Sequence, residues 1–198
     1  MRFGLTAIMT LLCFTSAHAE QPRLVLQITV DQLRADLPLR FFDRFGEGGF
    51  RYLYEGGTVY RNAHHAHVNT ETIVGHATLA TGTHPSIHGM VANLWFDRET
   101  GFPAYNVEDP NYVLLTAGAA VDADTEIDPT QAAARSEGRS PATILGTTMS
   151  DEIRSSNGGQ SRSIGISVKD RGAISMAGHS GTAYWFSNAT GDFVTSNY

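Results

Sequence analysis

The sequence has 198 residues, of which 20 are acidic and 14 are basic, and its formal net charge is −6. This acidic balance argues against nucleic acid or an anionic membrane as a partner, because both bind surfaces with excess positive charge. The single cysteine, Cys13, lies in an N-terminal stretch that we expect to be removed. The rest of the chain therefore has neither a disulfide nor a cysteine-based metal site. Its length suits one domain of ordinary size.

The first 19 residues have the pattern of an export signal. Arg2 supplies a positive charge, residues 3–14 are mostly apolar, and residues 17–19 read Ala-His-Ala, which fits the site that a signal peptidase cleaves. The apolar run is too short to span a bilayer. We therefore predict a periplasmic or secreted protein without a stable membrane anchor, cleaved near Ala19, with one domain over residues 20–198. The sequence does not indicate an oligomeric state.

Strand and helix patterns alternate along the chain. The apolar run at residues 23–30 is typical of a strand buried on both faces of a parallel sheet. Further strands are predicted at residues 58–61, 91–96 and 163–168, and a hairpin at residues 184–194. Helices are predicted at residues 50–55, 72–81 and 140–156. The alternation predicts an α/β/α sandwich with a mostly parallel central sheet.

Two further features of the sequence concern residues 107–156. Residues 107–139 are polar, rich in alanine and weakly patterned, which predicts a long surface loop or cap. The helix at residues 140–156 is predicted to begin at Ser140-Pro141, with serine as the cap and proline at the first helical position.

Four side chains that could bind or react with a ligand lie where predicted strands end or a predicted helix begins. Asp31 follows the first strand, Lys169 and Arg171 follow the strand at residues 163–168, and Thr72 lies in the first turn of its helix. In an open α/β sheet the carboxyl ends of the strands meet at one crevice, so we expect these groups to converge. A helix N-terminus also favours an anion. The combination suits a phosphoryl group.

A threonine hydroxyl is a weak nucleophile near neutral pH because little of it is ionised, so it needs a base or a metal ion. No obvious base adjoins Thr72 in the sequence. Asp31 could hold a divalent cation that also coordinates the threonine oxygen and lowers its pKa.

Several short motifs occur in an order that matches a known family. They read Val-Asp-Gln-Leu-Arg at 30–34, Asn-Thr-Glu-Thr at 69–72, Gly-His-Ala at 75–77, Asn-Leu-Trp-Phe-Asp at 93–97 and Ser-Val-Lys-Asp-Arg at 167–171. The series resembles the alkaline phosphatase superfamily. Within it, the series is most similar to the exported, zinc-dependent alkaline phosphatases that use a threonine nucleophile, which are related to type I phosphodiesterases and nucleotide pyrophosphatases.

The resemblance implies a role for five residues. Thr72, and not Thr70, would be the nucleophile, and Asp31 would bind one of two zinc ions together with the Thr72 oxygen. Asn93, Lys169 and Arg171 would bind the phosphoryl group. The implied activity is zinc-dependent hydrolysis of phosphate monoesters, with small phosphorylated molecules as substrates and a covalent phosphothreonine intermediate.

In two respects the sequence departs from the family. Ile73-Val74 stand where members often carry proline after the nucleophile. The remaining zinc ligands of the family, several Asp and His residues, would lie beyond the residues present here. The resemblance therefore implies that residues 20–198 form the N-terminal part of an alkaline phosphatase-like catalytic domain, inactive by itself.

Other interpretations stay open at this point. A phosphodiesterase or nucleotide pyrophosphatase shares the fold and the metal site but generally lacks the Lys-x-Arg pair. A non-catalytic exported protein could bind an anion at the start of the helix that carries Thr72. His64, His65 and His67 resemble a metal cluster, but we predict a structural role for them because a polar strand edge gives the same pattern.

Overall fold

A computed structural model describes residues 22–198 of the chain, so the predicted export signal lies outside the described residues. The helices are α1 (Leu37–Arg40), α2 (Phe50–Gly56), α3 (Thr72–Thr81), α4 (Pro85–His88), α5 (Pro129–Ala132), α6 (Met149–Ser156) and α7 (Asp170–Ala177), with one 3-10 turn at Phe42–Arg44. The strands are β1 (Leu94–Asp97), β2 (Phe102–Tyr105), β3 (Ile164–Ser167), β4 (Thr182–Phe186) and β5 (Phe193–Val194). Within residues 22–198, no helix has the length and apolar character needed to cross a membrane.

The strands form two small sheets. β1 and β2 make an antiparallel hairpin in which Leu94 lies opposite Tyr105. In the second sheet β3 is parallel to β4, with Ile164 opposite Thr182, and β4 is antiparallel to β5. Helix α7 connects β3 to β4 and packs on both strands, which makes a βαβ unit. The predicted α/β class is confirmed by this unit.

The core lies where α3 and α7 pack against each other and α7 packs on the sheet. Small side chains on both helices, Ala77, Ala173 and Ala177, are fully buried and permit the close approach. Gly165 of β3 is required there, because a Cβ on it would lie 2.1 Å from the carbonyl oxygen of Ala173. This tight packing holds α3 and α7 against each other.

The predicted strand at residues 23–30 is wrong. These residues are irregular in the structure, and Leu24, Leu26 and Ile28 are 76%, 71% and 69% exposed. An apolar run becomes a buried strand only where neighbouring strands complete its hydrogen bonds and other layers cover its faces. Within residues 22–198 no strand pairs with this run, and Ile166 of β3 is likewise 68% exposed. The predicted strand at residues 58–61 is also absent, since these residues are exposed and irregular, with a turn that begins only at Arg61.

The predicted start of the helix at residues 140–156 is also wrong. The Ser140 hydroxyl donates to Asp109 at 2.6 Å, so this serine supports a buried turn instead of capping a long helix. The helix α6 begins at Met149, after a capping box in which Thr148 and Asp151 bond to each other's backbone N–H groups.

The other predicted elements are confirmed, with small shifts in their ends. The helix at residues 72–81 has the predicted bounds and ends at Gly82, whose φ of 66° suits glycine. The helix near residue 50, the strand near residue 94, the strand near residue 165 and the final hairpin correspond to α2, β1, β3 and β4–β5. Residues 107–139 contain the short helix α5 and are otherwise turns and irregular chain.

Candidate active site

Thr72 is the first residue of α3, and its hydroxyl Oγ1 donates to Oδ2 of Asp31 at 3.4 Å. The chain turns sharply after Asp31, and Gln32 has a positive φ of 58°. The two residues come from segments 41 positions apart. The structure thus brings together the predicted nucleophile and the predicted metal ligand.

The Asn-Thr-Glu-Thr motif positions Thr72 through two side chains on either side of Thr70. The amide Nδ2 of Asn69 donates to the carbonyl oxygen of Val91 at 2.7 Å. The carboxylate of Glu71 accepts from the backbone N–H of Asn93 at 2.6 Å. These bonds tie the loop before α3 to residues 91–93, so Thr72 and Asn93 are held side by side.

The side chain of Asn93 faces the N-terminus of α3. Its Oδ1 accepts from the backbone N–H of Ile73 at 3.0 Å. Only the amide oxygen can accept from an N–H group, so this bond determines which way the amide is oriented. Within residues 22–198 the Nδ2 group of Asn93 has no protein partner. Its two N–H donors are therefore available to an oxyanion beside Thr72.

Lys169 and Arg171 meet at a carboxylate that the sequence did not reveal as part of the site. Lys169 Nζ and Arg171 Nη2 both donate to Oδ2 of Asp128, the latter at 2.9 Å. Arg171 Nη1 also lies 3.4 Å from the hydroxyl of Tyr105 and 3.3 Å from that of Thr130. The predicted cation pair is therefore one cluster, centred on Asp128.

Asp128 is ionised in this cluster. Burial by itself would raise the pKa of Asp128, but hydrogen bonds from Lys169 and Thr130 and the charge of Arg171 outweigh it and hold the pKa well below its usual range. The side chain of Arg171 is 6% exposed and that of Lys169 is 36% exposed. The lysine is thus the more accessible cation.

Asp170, between the two cations in the sequence, lies in a buried network that shares the Tyr105 hydroxyl with Arg171. Its carboxylate accepts from Arg139 Nε at 2.6 Å, from the Tyr105 hydroxyl at 2.6 Å and from the backbone N–H of Arg171 at 2.7 Å. Burial and the charge of Asp170 raise the pKa of Tyr105 well above its ordinary value, so the hydroxyl keeps its proton and donates it. This network fixes the first turn of α7.

The hairpin β1–β2 connects the Thr72 cluster to the Lys169 cluster. At one end the Asn106 side chain donates to the carbonyl oxygen of Asn93 at 2.6 Å. The adjacent Tyr105 reaches Asp170 and Arg171. The two helices that carry the clusters, α3 and α7, pack on each other. Lys169 and Arg171 bond to Asp128 and not to Thr72, so the predicted site residues form two separate clusters.

Asp31 and Thr72 could supply two ligands to a metal ion, since a carboxylate and a hydroxyl oxygen both suit a divalent cation. Within residues 22–198 no three His, Cys, Asp or Glu side chains lie close enough to form a metal site. The pair therefore fits one edge of such a site, and a closed four-ligand shell needs further groups.

The histidines of the same region bond to the protein itself. His88 is fully buried, accepts from the backbone N–H of Met90 at 3.1 Å and lies 3.0 Å from the Thr78 hydroxyl. Burial and the nearby His67 lower its pKa, so the neutral imidazole is favoured. His67 lies 3.3 Å from the same hydroxyl, and His64 bonds to Asn62 at 2.9 Å. These contacts give the imidazoles structural partners.

A family model for type I phosphodiesterase / nucleotide pyrophosphatase matches residues 25–186. The chain belongs to this family. The matched range contains all five predicted site residues, from Asp31 to Arg171.

Several named relatives are alkaline phosphatases, and one relative from Myroides odoratus is named a calcium-transporting ATPase. PafA from Elizabethkingia meningoseptica and PhoV from Synechococcus elongatus are each 36% identical over 180 residues, covering 90% of this chain and 30% of the relative. The crystal structure of wild-type PafA matches with a TM-score of 0.74 and 35% identity, covering 85% of this chain and 30% of that one. A PafA variant with a replaced threonine, asparagine, lysine and arginine matches with a TM-score of 0.73 and 32% identity, with the same coverage.

These matches confirm the predicted resemblance and the alkaline phosphatase-like fold. The chain spans 30% of the length of PafA and PhoV. Sequence reasoning missed Glu71, Asp128 and the network of Asp170 with Tyr105 and Arg139. For Asp128 a local signal did exist, because Asp-Pro-Thr at 128–130 has the cap and first-turn proline of a helix start. That signal predicts α5, but it does not predict the contact with Lys169.

Proposed function

We propose that the protein is a zinc-dependent phosphoester hydrolase that cleaves phosphate monoesters through a covalent phosphothreonine on Thr72. The observation that carries this proposal is the position of the Thr72 hydroxyl. It stands at the N-terminus of α3, beside the carboxylate of Asp31 and the free amide donors of Asn93, in a chain of this family. Small phosphorylated molecules are the proposed substrates.

In the first step the Thr72 oxygen attacks phosphorus and forms a bond to it, while the bond from phosphorus to the ester oxygen breaks. The ester oxygen leaves with the bonding electron pair and takes up the proton that the Thr72 hydroxyl gives up, so an alcohol is released. In the second step water attacks the phosphothreonine, which releases phosphate and restores the hydroxyl. Asp31 and Thr72 would hold one zinc ion, and bound zinc would lower the pKa of the Thr72 hydroxyl. Asp31 also orients that hydroxyl directly through the bond at 3.4 Å.

The phosphoryl oxygens would be bound by donors that are fixed before substrate arrives. Asn93 offers two N–H groups, held in place by the bonds of its Oδ1 and backbone N–H. The N-terminus of α3 adds a positive potential. Lys169 and Arg171 would bind the same group, and two cations favour a monoester dianion over a diester with one negative charge.

The PafA variant supports this assignment by type and spacing. Its replaced threonine and asparagine are 21 positions apart, and its replaced lysine and arginine are two apart. Thr72 and Asn93 are separated by the same 21 positions here, and Lys169 and Arg171 by the same two.

The test is hydrolysis of p-nitrophenyl phosphate by the full open reading frame that contains this chain, purified with zinc. We expect Thr72→Ala to lower kcat by at least about 1,000-fold, because no other group provides the nucleophile. Thr70→Ala is the matched control, since Thr70 is exposed two residues away and should retain activity. Equal loss in both variants, or turnover in Thr72→Ala, would contradict the proposal.

A phosphodiesterase is the second candidate, because the family description names this activity and Asp128 cancels one of the two positive charges. Turnover of a monoester and a diester should be compared with and without Lys169→Ala. If diester turnover dominates and the variant is unchanged, the phosphodiesterase is correct. Anion binding without turnover in the zinc-loaded protein would instead indicate a non-catalytic binding protein. We place either activity in the periplasm or outside the cell, after removal of residues 1–19.

A further inference from the structure

The two cations proposed to bind substrate share one oxygen atom of Asp128. Lys169 Nζ and Arg171 Nη2 converge on Oδ2 of this residue, although they lie 41 and 43 positions away in the sequence. The side chain of Asp128 is 11% exposed. A carboxylate that accepts from two cations restricts both of them to one arrangement.

The second oxygen of Asp128 anchors the carboxylate itself. Oδ1 accepts from the backbone N–H of Thr130 at 3.0 Å and from its hydroxyl at 2.7 Å. Asp128 is therefore the N-cap of α5, and its position is set by that helix. The Thr130 hydroxyl also lies 3.3 Å from Arg171 Nη1, so the α5 start contacts the arginine at two of its nitrogens.

We propose that Asp128 is a positioning residue of the active site, which holds Lys169 and Arg171 in the arrangement that receives a phosphoryl dianion. The carboxylate is fixed by its own helix and is nearly buried, so it is not a mobile group that leaves when substrate binds. Its charge leaves the three-residue cluster with a net charge of +1, which still attracts an anion. This proposal rests on the proposed function for its catalytic consequences.

The experiment uses Asp128→Asn in the zinc-loaded full-length protein. Asparagine keeps a capping oxygen for Thr130 but directs an uncharged amide group at the cations. Asp124→Asn is the matched control, because Asp124 is an exposed carboxylate of the same segment and the charge change is identical. Asp128→Ser is a second variant, since serine also caps a helix but cannot reach two cations.

We expect Asp128→Asn and Asp128→Ser to weaken binding of inorganic phosphate, measured by calorimetry, by about tenfold through loss of a charge-assisted contact. We also expect the ratio of monoester to diester kcat/KM to fall by a similar factor, while Asp124→Asn changes neither value. A solely structural role would lower both turnover rates together and leave their ratio unchanged. That outcome overturns the proposal.

Tighter phosphate binding in Asp128→Asn would also overturn the proposal, because it would show that the carboxylate competes with the ligand. Phosphate binding requires no turnover, so it tests Asp128 even if the protein proves not to be a hydrolase. Loss of turnover in Thr72→Ala tests the hydrolase assignment separately. The two proposals can therefore fail independently.

Discussion

Replacing Asp170 with asparagine should destabilise the protein strongly, because it breaks a buried ion pair and leaves the other partner in place. Asp170 is fully buried and the Arg139 side chain is 3% exposed. In Asp170→Asn the amide oxygen can keep the bonds from the Tyr105 hydroxyl and the Arg171 backbone. The amide nitrogen would then face Arg139 Nε, so a donor replaces the acceptor at 2.6 Å.

Removing one partner of a buried ion pair costs about 3–5 kcal/mol. Arg139 retains bonds from Nη1 to the carbonyl oxygens of Ser136 and Gly138, at 2.7 and 3.0 Å. These bonds partly compensate the guanidinium for the loss of its carboxylate partner. We therefore expect a decrease of about 3 kcal/mol in the free energy of unfolding.

Urea unfolding of the full-length protein measures this loss, with Asp124→Asn as an exposed control that should change stability by less than about 0.5 kcal/mol. A loss below about 1 kcal/mol in Asp170→Asn would refute the reasoning. A double variant, Asp170→Asn with Arg139→Met, should be more stable than Asp170→Asn alone, because it removes the unpaired charge. If the double variant is less stable than Asp170→Asn, the unpaired Arg139 charge is not the cause.

Three further predictions concern stability and positioning. Burial by itself would raise the pKa of Asp151, but hydrogen bonds from Thr148 and other groups outweigh it and hold the pKa well below its usual range. The contribution of Asp151 to folding stability is therefore present above about pH 4 and is lost as pH falls through the folded-state pKa. Asp151→Asn should lower the urea midpoint at pH 7 and flatten its decline in acid, and an unchanged acid profile would contradict this. Gly178→Ala should lower the free energy of unfolding by about 2 kcal/mol or more, since its Cβ would lie 2.2 Å from Thr148 Oγ1 at a φ of 74°. Gly158→Ala has a φ of 65° and no atom within 4 Å, so it should lower the same free energy by only about 1 kcal/mol. Equal losses in the two variants would refute the steric argument. Glu71→Ala should lower kcat/KM by about tenfold with an unchanged melting temperature, because it frees the backbone of Asn93, whose amide is the proposed phosphate ligand. Unaltered kinetics would show that the bond from Glu71 is dispensable.

Elements governed by short-range contacts followed from the sequence. The helix at residues 72–81 has a run of residues that pack on one side and a glycine that ends it, and the structure keeps both bounds. The strand β3 has a local signal in its short apolar run, and the hairpin β4–β5 has one in the turn residues between its strands. The five candidate site residues could be named because each belongs to a short motif, although their catalytic roles remain proposals.

Features that depend on long-range partners could not be predicted. The run at residues 23–30 has the composition of a buried strand, but strand formation depends on a hydrogen-bonded neighbour that the run itself does not contain. Ser140 has the signature of a helix cap, yet a buried bond to Asp109 recruits it instead. Both patterns are compatible with more than one structure, and the surroundings select between them.

The sequence by itself determined the family, the helix that presents Thr72, and which side chains carry hydroxyl, carboxylate and cationic groups. The tertiary structure alone decided that Glu71 connects the loop before Thr72 to Asn93 and that Asp128 binds both Lys169 and Arg171. The physical reason is distance along the chain. A cap or a turn is stabilised by neighbours a few residues away, whereas an ion pair across 41 residues forms only after the core has brought its partners together.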